Sequence, residues 1–303
     1  MNEATKNKIN SSIKKQDAEN LESLIAIEDV LKLKRGFVFK MPKKNSSVII
    51  QLSGGIDSVT TISLLIEKYK LHVYPIFIKR GQSRVMQEQA SVDFFDKYYQ
   101  KKYPKRYHPV FKVNTKIPPL EIRKVIISKA SVKIKKSSEQ RWGIPLFASL
   151  LTSYAVQYAY YLQHTKKLKI RTIFCAAVPS DSEQMAHHSL TGMRSIMLNM
   201  CCQTNDYSWQ FSSPWVEKEL SLYLGKDDLI KWADEKNIPI EKTWSCYIKH
   251  KQHCGRCVGC YSRQIFFKKA KVEDKTKYRP YYLEQLKLKI KHKIKKIIQL
   301  IKL

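Results

Sequence analysis

The chain has 303 residues, 43% of them apolar and 11% aromatic, which allows a substantial core and excludes an intrinsically disordered chain. Its 56 Lys and Arg against 26 Asp and Glu leave a formal net charge of +30, which favours polyanionic partners such as nucleic acid unless the lysines simply coat a solvated surface. No apolar run reaches the ~20 residues of a membrane-spanning helix and "MNEATKNKINSSIKK" is too polar for a signal peptide, so a cytoplasmic chain without a transmembrane segment, its thiols reduced, is expected.

Residues 1–46 read as an amino-terminal extension, polar at first, then a short helix and an extended segment within "LESLIAIEDVLKLKRGFVFKM". At Val48 the pattern changes. "VIIQL" predicts a buried strand, "VTTISLLIEKY" a helix and "HVYPIFIK" a second strand. A helix over "QEQASVDFFDKYYQKKY" and a strand near "HPVFKVN" follow. "IPLFASLLTSYAVQYAYYLQH" predicts a long helix in the core, "IRTIFCAAV" a further central strand, and "GKDDLIKWADEKNI" an amphipathic helix. Strands alternating with helices predict an α/β fold with a doubly wound, mostly parallel sheet over residues 47–245.

A cysteine-bearing segment over 246–280 packs on that domain, and residues 281–303 form a basic tail. In the tail, Leu283, Leu286, Ile290, Ile294, Ile297 and Ile301 share one helical face, with lysines over most of the rest. The tail reads as a helix docked on its own fold or on a second copy. A nucleic-acid or membrane-surface helix is the alternative.

Between the first strand and the first helix of the sheet domain stands "SGGIDS", Ser53 to Ser58. A loop leaving a parallel strand and entering a helix presents free backbone amides, and the helix dipole adds positive potential. Gly54 and Gly55 let an oxyanion approach the main chain. Ser53 and Ser58 offer hydroxyl donors, and Asp57 can cap amides or help hold a metal-bound phosphate. The stretch lacks the Gly-Lys-Ser/Thr ending of a Walker loop and the spacing of a dinucleotide fingerprint, so it is either a phosphate cradle of another kind or an ordinary capped turn.

Cys246, Cys254, Cys257 and Cys260 fall within 15 residues in "TWSCYIKHKQHCGRCVGCYSRQIFF". Four thiolates suit a closed structural zinc site; an iron–sulfur cluster and a redox dithiol are the alternatives. His250 and His253 stand by as substitute ligands. Cys175, Cys201 and Cys202 read as small core residues.

"SGGIDS" resembles the pyrophosphate loop of the N-type ATP pyrophosphatases, whose domains are adenine nucleotide alpha hydrolase-like. With "TWSCY…HCGRCVGCYSRQIFF…DKTKY" it resembles one branch of them, the 7-cyano-7-deazaguanine synthases of queuosine biosynthesis, from about Val48 to Tyr278. The resemblance implies ATP as cosubstrate, magnesium, a structural zinc and a homodimer. It implies a ligase that adenylates the carboxylate of 7-carboxy-7-deazaguanine, after which ammonia gives an amide and then a nitrile. It places Asp57, Ser58 and Lys226 in the chemistry. Ser53, Gly54, Gly55, Ile56, Asp57, Ser58, Gly81, Gln82 and Arg263 contact the nucleotide; the other expectation for Arg263 is a salt bridge beside the cysteines, and for Lys226 a solvated helix lysine.

The middle departs from the family. "EQRWGIPLF" stands where a Gly-Arg-Asn turn is usual, and "VPSDSEQMAHHSLTGMRSIM" where an Asp-Cys-Arg stretch lies near the substrate. Ser180 and Asp181 occupy the equivalent loop, and His187 and His188 read as surface residues rather than acid–base groups. Relatives in antiphage operons suggest a protein amine as alternative acceptor. A tRNA-modifying enzyme with Cys175 as catalytic thiol is a second alternative, and a degenerate nucleotide-binding module, against which the intact loop argues, a third.

Overall fold

A computed structural model describes residues 20–119, 121–122, 146–182, 185–220 and 224–280. Strands β1 (Ser47–Gln51), β2 (His72–Lys79), β3 (Phe111–Asn114), β4 (Thr172–Phe174) and β5 (Gln210–Ser212) form one parallel sheet in the order β3-β2-β1-β4-β5. The middles of β1 and β2 are buried, as a sheet with helices on both faces requires. That is why these strands are continuous apolar runs rather than alternating ones.

The helices are α1 (Leu21–Arg35), α2 (Ile56–Glu67), α3 (Val85–Lys102), α4 (Phe147–Lys166), the one-turn α5 (Pro179–Ser182), α6 (Leu190–Thr204), α7 (Lys226–Glu235) and α8 (Val258–Ala270). The chain runs outward from β1 through β2 to β3 and then returns to the other side of β1 for β4 and β5. Its topological switch point therefore lies between β1 and β4, where doubly wound sheets place their ligands, outside the carboxyl ends of the strands.

Three features differ from the sequence reading. Helix α4 is not enclosed: it buries one stripe, Ala148, Thr152, Ala155, Tyr158, Ala159 and Leu162, while Leu150 and Tyr161 face solvent. Helix α6 and strand β5 were not foreseen, because "QFS" is too short and too polar to announce a strand; Gln210 is held there by the backbone of Lys40 and by Thr172. Helix α1, within the expected extension, packs on α6 through buried Leu24 and Leu31 and through an ion-pair network. Arg194, wholly buried on α6, makes a bidentate bridge of 2.8 and 2.7 Å to Glu217 and reaches Glu28 of α1 at 3.1 Å; Glu28 also meets Lys218 at 2.6 Å. The basic tail and most of "EQRWGIPLF" lie outside the described residues. Among those described, no helix is long and apolar enough to cross a membrane.

Candidate functional site

The loop after β1 is built to be bare. Gly54 sits at φ 77°, and a Cβ there would come within 2.8 Å of the Glu88 carbonyl and 3.1 Å of the Ser91 side chain, so only glycine fits. Its carbonyl accepts from the Ser91 hydroxyl at 2.8 Å and from the Trp244 amide at 2.9 Å. Helix α3 and the segment leading to the cysteines therefore both grip the loop. Gly55 caps α2 in extended conformation, with only the Ser53 hydroxyl within 3.4 Å of where its Cβ would lie, and the first amides of α2 have no intrahelical partner.

Ser58 differs from its expected part. It is buried; its hydroxyl receives the Ser53 amide at 3.1 Å and lies within 3.2 Å of the Gly55 carbonyl, so it braces the loop from inside instead of facing an anion. The Ser53 hydroxyl accepts the Gly55 amide at 3.3 Å, and Ile56 is a buried peg beneath the turn.

Asp57 joins two residues distant in sequence. The ammonium of Lys226, first residue of α7, lies 3.3 Å from Asp57 and 3.0 Å from Asp181, which follows β4 and accepts from the Val178 amide at 3.2 Å. The three side chains are 23–29% exposed, so Lys226 is no solvated helix lysine. Burial pushes the Asp57 carboxyl up, Lys226 opposes the shift and Asp181 adds to it. Burial alone would lower the Lys226 ammonium, but Asp57 and Asp181 hold it above the usual lysine value, so it stays charged. A cation held between two carboxylates thus stands at the first turn of α2, to which Asp57 belongs.

The loop after β2 turns at Gly81, φ 77°. Gln82, expected among nucleotide contacts, is buried: its side chain accepts the Arg80 amide at 3.0 Å and donates to Glu88, so it shapes the loop. Arg84 pairs with the same Glu88. The Arg80 guanidinium stacks 4.7 Å above the Phe147 ring. His187 and His188 are half-buried rather than freely exposed. Their rings lie 4.4 Å apart in a single 3-10 turn, Ala186–His188, and His187 meets Phe147 edge-on at 6.5 Å. Burial lowers both imidazoles, that of His188 to about 4.

Cys246, Cys254, Cys257 and Cys260 are all buried with their sulfurs within 4.8 Å of one another, a set that could hold a metal ion. Backbone amides of Ile248 and Cys254 donate to Cys246 Sγ at 3.4 Å, that of Tyr247 to Cys257 Sγ at 3.3 Å and that of Cys257 to Cys254 Sγ at 3.3 Å. Such donors favour thiolates. His253 accepts the Ser245 amide at 3.1 Å and so is a prop of the knuckle rather than a substitute ligand. Arg263, expected near the nucleotide, is buried beneath the knuckle and donates to Thr243 at 2.8 Å and to the Ile240 carbonyl at 2.8 Å, with Asp274 at 3.4 Å. This is the salt bridge beside the cysteines that was its other reading. Cys202 is exposed, not core. Cys175 is buried against Met193 and its thiol is pushed up to about 12, the opposite of an activated nucleophile.

The family model described as "Queuosine biosynthesis protein QueC" matches residues 47–271. The chain belongs to this family. Among curated relatives, the 7-cyano-7-deazaguanine synthase of Thermoplasma volcanium is 28% identical over 254 residues, covering 80% of this chain and 93% of that protein. That of Methanobrevibacter smithii is 41% identical over 61 residues, 20% of this chain, and the match spans only 27% of that relative's length. Among solved structures, a U34-tRNA thiolase from Methanococcus maripaludis, described with its 4Fe-4S cluster, is 14% identical with a TM-score of 0.34, covering 82% of this chain and 73% of that one. Membership of the QueC family thus spans the cradle, the Asp57–Lys226–Asp181 cluster and the cysteines together.

Proposed function

We propose that the chain activates the carboxylate of 7-carboxy-7-deazaguanine or a close analogue with ATP, releasing pyrophosphate, and lets a nitrogen nucleophile displace AMP to give the amide; a second ATP then adenylates the amide oxygen, again releasing pyrophosphate, and that oxygen leaves with AMP to give the nitrile. The observation that carries this is the Ser53–Ser58 cradle at the switch point of the sheet, in a chain of the QueC family.

A carboxylate is a poor electrophile, and joining it to AMP supplies a leaving group. The first amides of α2 receive the phosphate oxygens, with Ser53 beside them, Gly55 leaving the approach clear and Gly54 letting the turn pack tightly against α3. Lys226 offsets charge that develops as pyrophosphate departs. Asp57 and Asp181 are the carboxylates that would hold magnesium, which when bound neutralises phosphate charge. Ser58 acts one step back, keeping Ser53 and Gly55 in place.

The cysteine set is best filled by zinc. A tetrahedral site with Zn–S of ~2.3 Å has sulfur–sulfur edges of about 3.8 Å. The Cys246–Cys257 and Cys254–Cys260 pairs stand at 3.8 and 3.9 Å, too close to embrace a four-iron cubane. Four protein ligands would close the site, so zinc held there would serve structure, and the Trp244 amide, two residues before Cys246, would pass that order on to Gly54.

The test is mass spectrometry after incubation with ATP, magnesium, 7-carboxy-7-deazaguanine and ammonia. AMP, pyrophosphate and a deazaguanine amide or nitrile are expected, and Asp57→Ala should abolish AMP formation while the fold survives. Absence of acid-dependent pyrophosphate release refutes the assignment; a mass increment on an offered protein would replace ammonia by a protein amine.

A further inference from the structure

His187 and His188 stand on the 3-10 turn that follows Asp181, and they carry an observation of their own. His187 Nε2 and His188 Nδ1 are shut off from solvent and have no hydrogen-bond partner among the described residues. Leaving a buried polar atom unpaired is costly, and buried polar groups are nearly always satisfied, so two orphans on adjacent residues call for something that satisfies them.

The turn that holds them is rigid. Ser189 caps α6 by accepting the Gly192 amide at 3.0 Å, and its hydroxyl donates to the Ala186 carbonyl at 2.7 Å. A Cβ on Gly192 would come within 2.3 Å of that carbonyl and 2.7 Å of His187 Cα, so α6 presses directly on the turn. Rings fixed this way are poised for a partner rather than free to find water.

The setting identifies the partner's chemistry. The Met185 amide bonds to the Asp181 carbonyl at 3.0 Å, which ties the turn to the carboxylate that grips Lys226. Phe147 lies edge-on to His187 and carries Arg80 stacked on its ring. Burial keeps both imidazoles neutral at physiological pH, and His187, Asp181 and Lys226 all act on His188. A neutral imidazole offers one donor and one acceptor, which suits the mixed donor-and-acceptor edge of a planar heterocycle better than the acceptor-only oxygens of a phosphate.

We infer that His187 and His188 form the base-reading wall of the acceptor site, presenting Nε2 and Nδ1 to the hydrogen-bonding edge of the deazapurine that carries the carboxylate. This rests on the function proposed above for the same site. The wall sets which heterocycle is accepted, while Asp57, Lys226 and the α2 amides act on the nucleotide.

The test pairs calorimetry of 7-carboxy-7-deazaguanine binding with acid-dependent ATP–pyrophosphate exchange. His187→Phe and His188→Phe should each raise the KM for the acid at least tenfold and leave the KM for ATP unchanged. They should also lose the wild type's preference for the acid over its analogue lacking the exocyclic amine. His187→Gln and His188→Asn, which return a nitrogen near Nε2 and Nδ1, should recover part of both; they carry the test if the Phe variants fail to fold. Unchanged acid KM and preference, or a rise in the KM for ATP instead, overturns the inference. Wild-type protein that binds the acid without exchange sinks the adenylation chemistry but leaves the wall standing, provided the Phe variants lose that binding.

Discussion

Adjacent glycines in the cradle should respond to the same substitution in opposite ways. In Gly54→Ala the new methyl meets the Glu88 carbonyl at 2.8 Å and the Ser91 side chain at 3.1 Å, at φ 77°. Left-handed backbone costs a side chain ~1–2 kcal/mol, and squeezing a methyl into a filled space costs ~1–3 kcal/mol. The sum, about 2–5 kcal/mol, lowers the melting temperature by roughly 2 °C per kcal/mol in a chain of this size, hence about 4–10 °C. In Gly55→Ala the backbone is extended and the nearest atom is the Ser53 hydroxyl at 3.4 Å, so the fold loses at most ~1 kcal/mol, the helix-capping difference between Gly and Ala. That methyl instead narrows the bare turn to which the proposed function assigns the phosphates. Differential scanning fluorimetry with and without ATP reads both effects. Gly54→Ala should melt several degrees early, whereas Gly55→Ala should melt near wild type yet gain no stability from ATP. Gly55→Ala protein that is stabilised by ATP as wild type is, or Gly54→Ala protein that melts unchanged, would show that the cradle is not where the nucleotide binds or not as tight as described.

Lys226→Met leaves Asp57 and Asp181 facing each other without their cation; Asp57, already raised by burial, should rise further. The acid limb of the pH–rate profile should then move to higher pH and turnover at pH 7 fall by ~10²–10³, an unmoved profile refuting the cluster's role. Glu217→Gln strips the bidentate partner from a wholly buried Arg194 and should cost ~3–5 kcal/mol by urea denaturation. Burial pushes the Glu217 carboxyl up, but Arg194 and Ser212 override it and hold the group below its ordinary 4.5. Its contribution is therefore present above that pH and lost as pH falls, and the variant should show a flatter acid limb of stability. Cys257→Ser should lower bound metal from about one ion per chain, measured by plasma mass spectrometry, and weaken ATP binding as well, because the knuckle and Gly54 share the Trp244 amide bond; metal loss with unchanged ATP affinity breaks that link.

Much of the site was legible because its signals are local. "SGGIDS" after "VIIQL" marks a strand, a bare turn and a helix start, and the cysteine spacing marks a ligand set; both follow from rules that act within ten residues. The same locality explains the errors. Ser58, Gln82 and Arg263 are polar residues in the right segments, and whether a polar side chain faces a ligand or braces a loop depends on neighbours that spacing does not name.

From the order of residues alone came the parallel α/β class, the bare turn after the first strand and the four-cysteine set that could hold a metal, since backbone geometry and ligand chemistry are encoded in short stretches. Only the tertiary structure brought Asp57, Asp181 and Lys226 into one ion cluster, locked helix α1 to Arg194, and enclosed one nitrogen each of the half-buried His187 and His188. These depend on the chain returning across β1 at the switch point, which joins segments more than a hundred residues apart. Burial then sets the charge and the bonding of each group, and burial is a property of the packed fold.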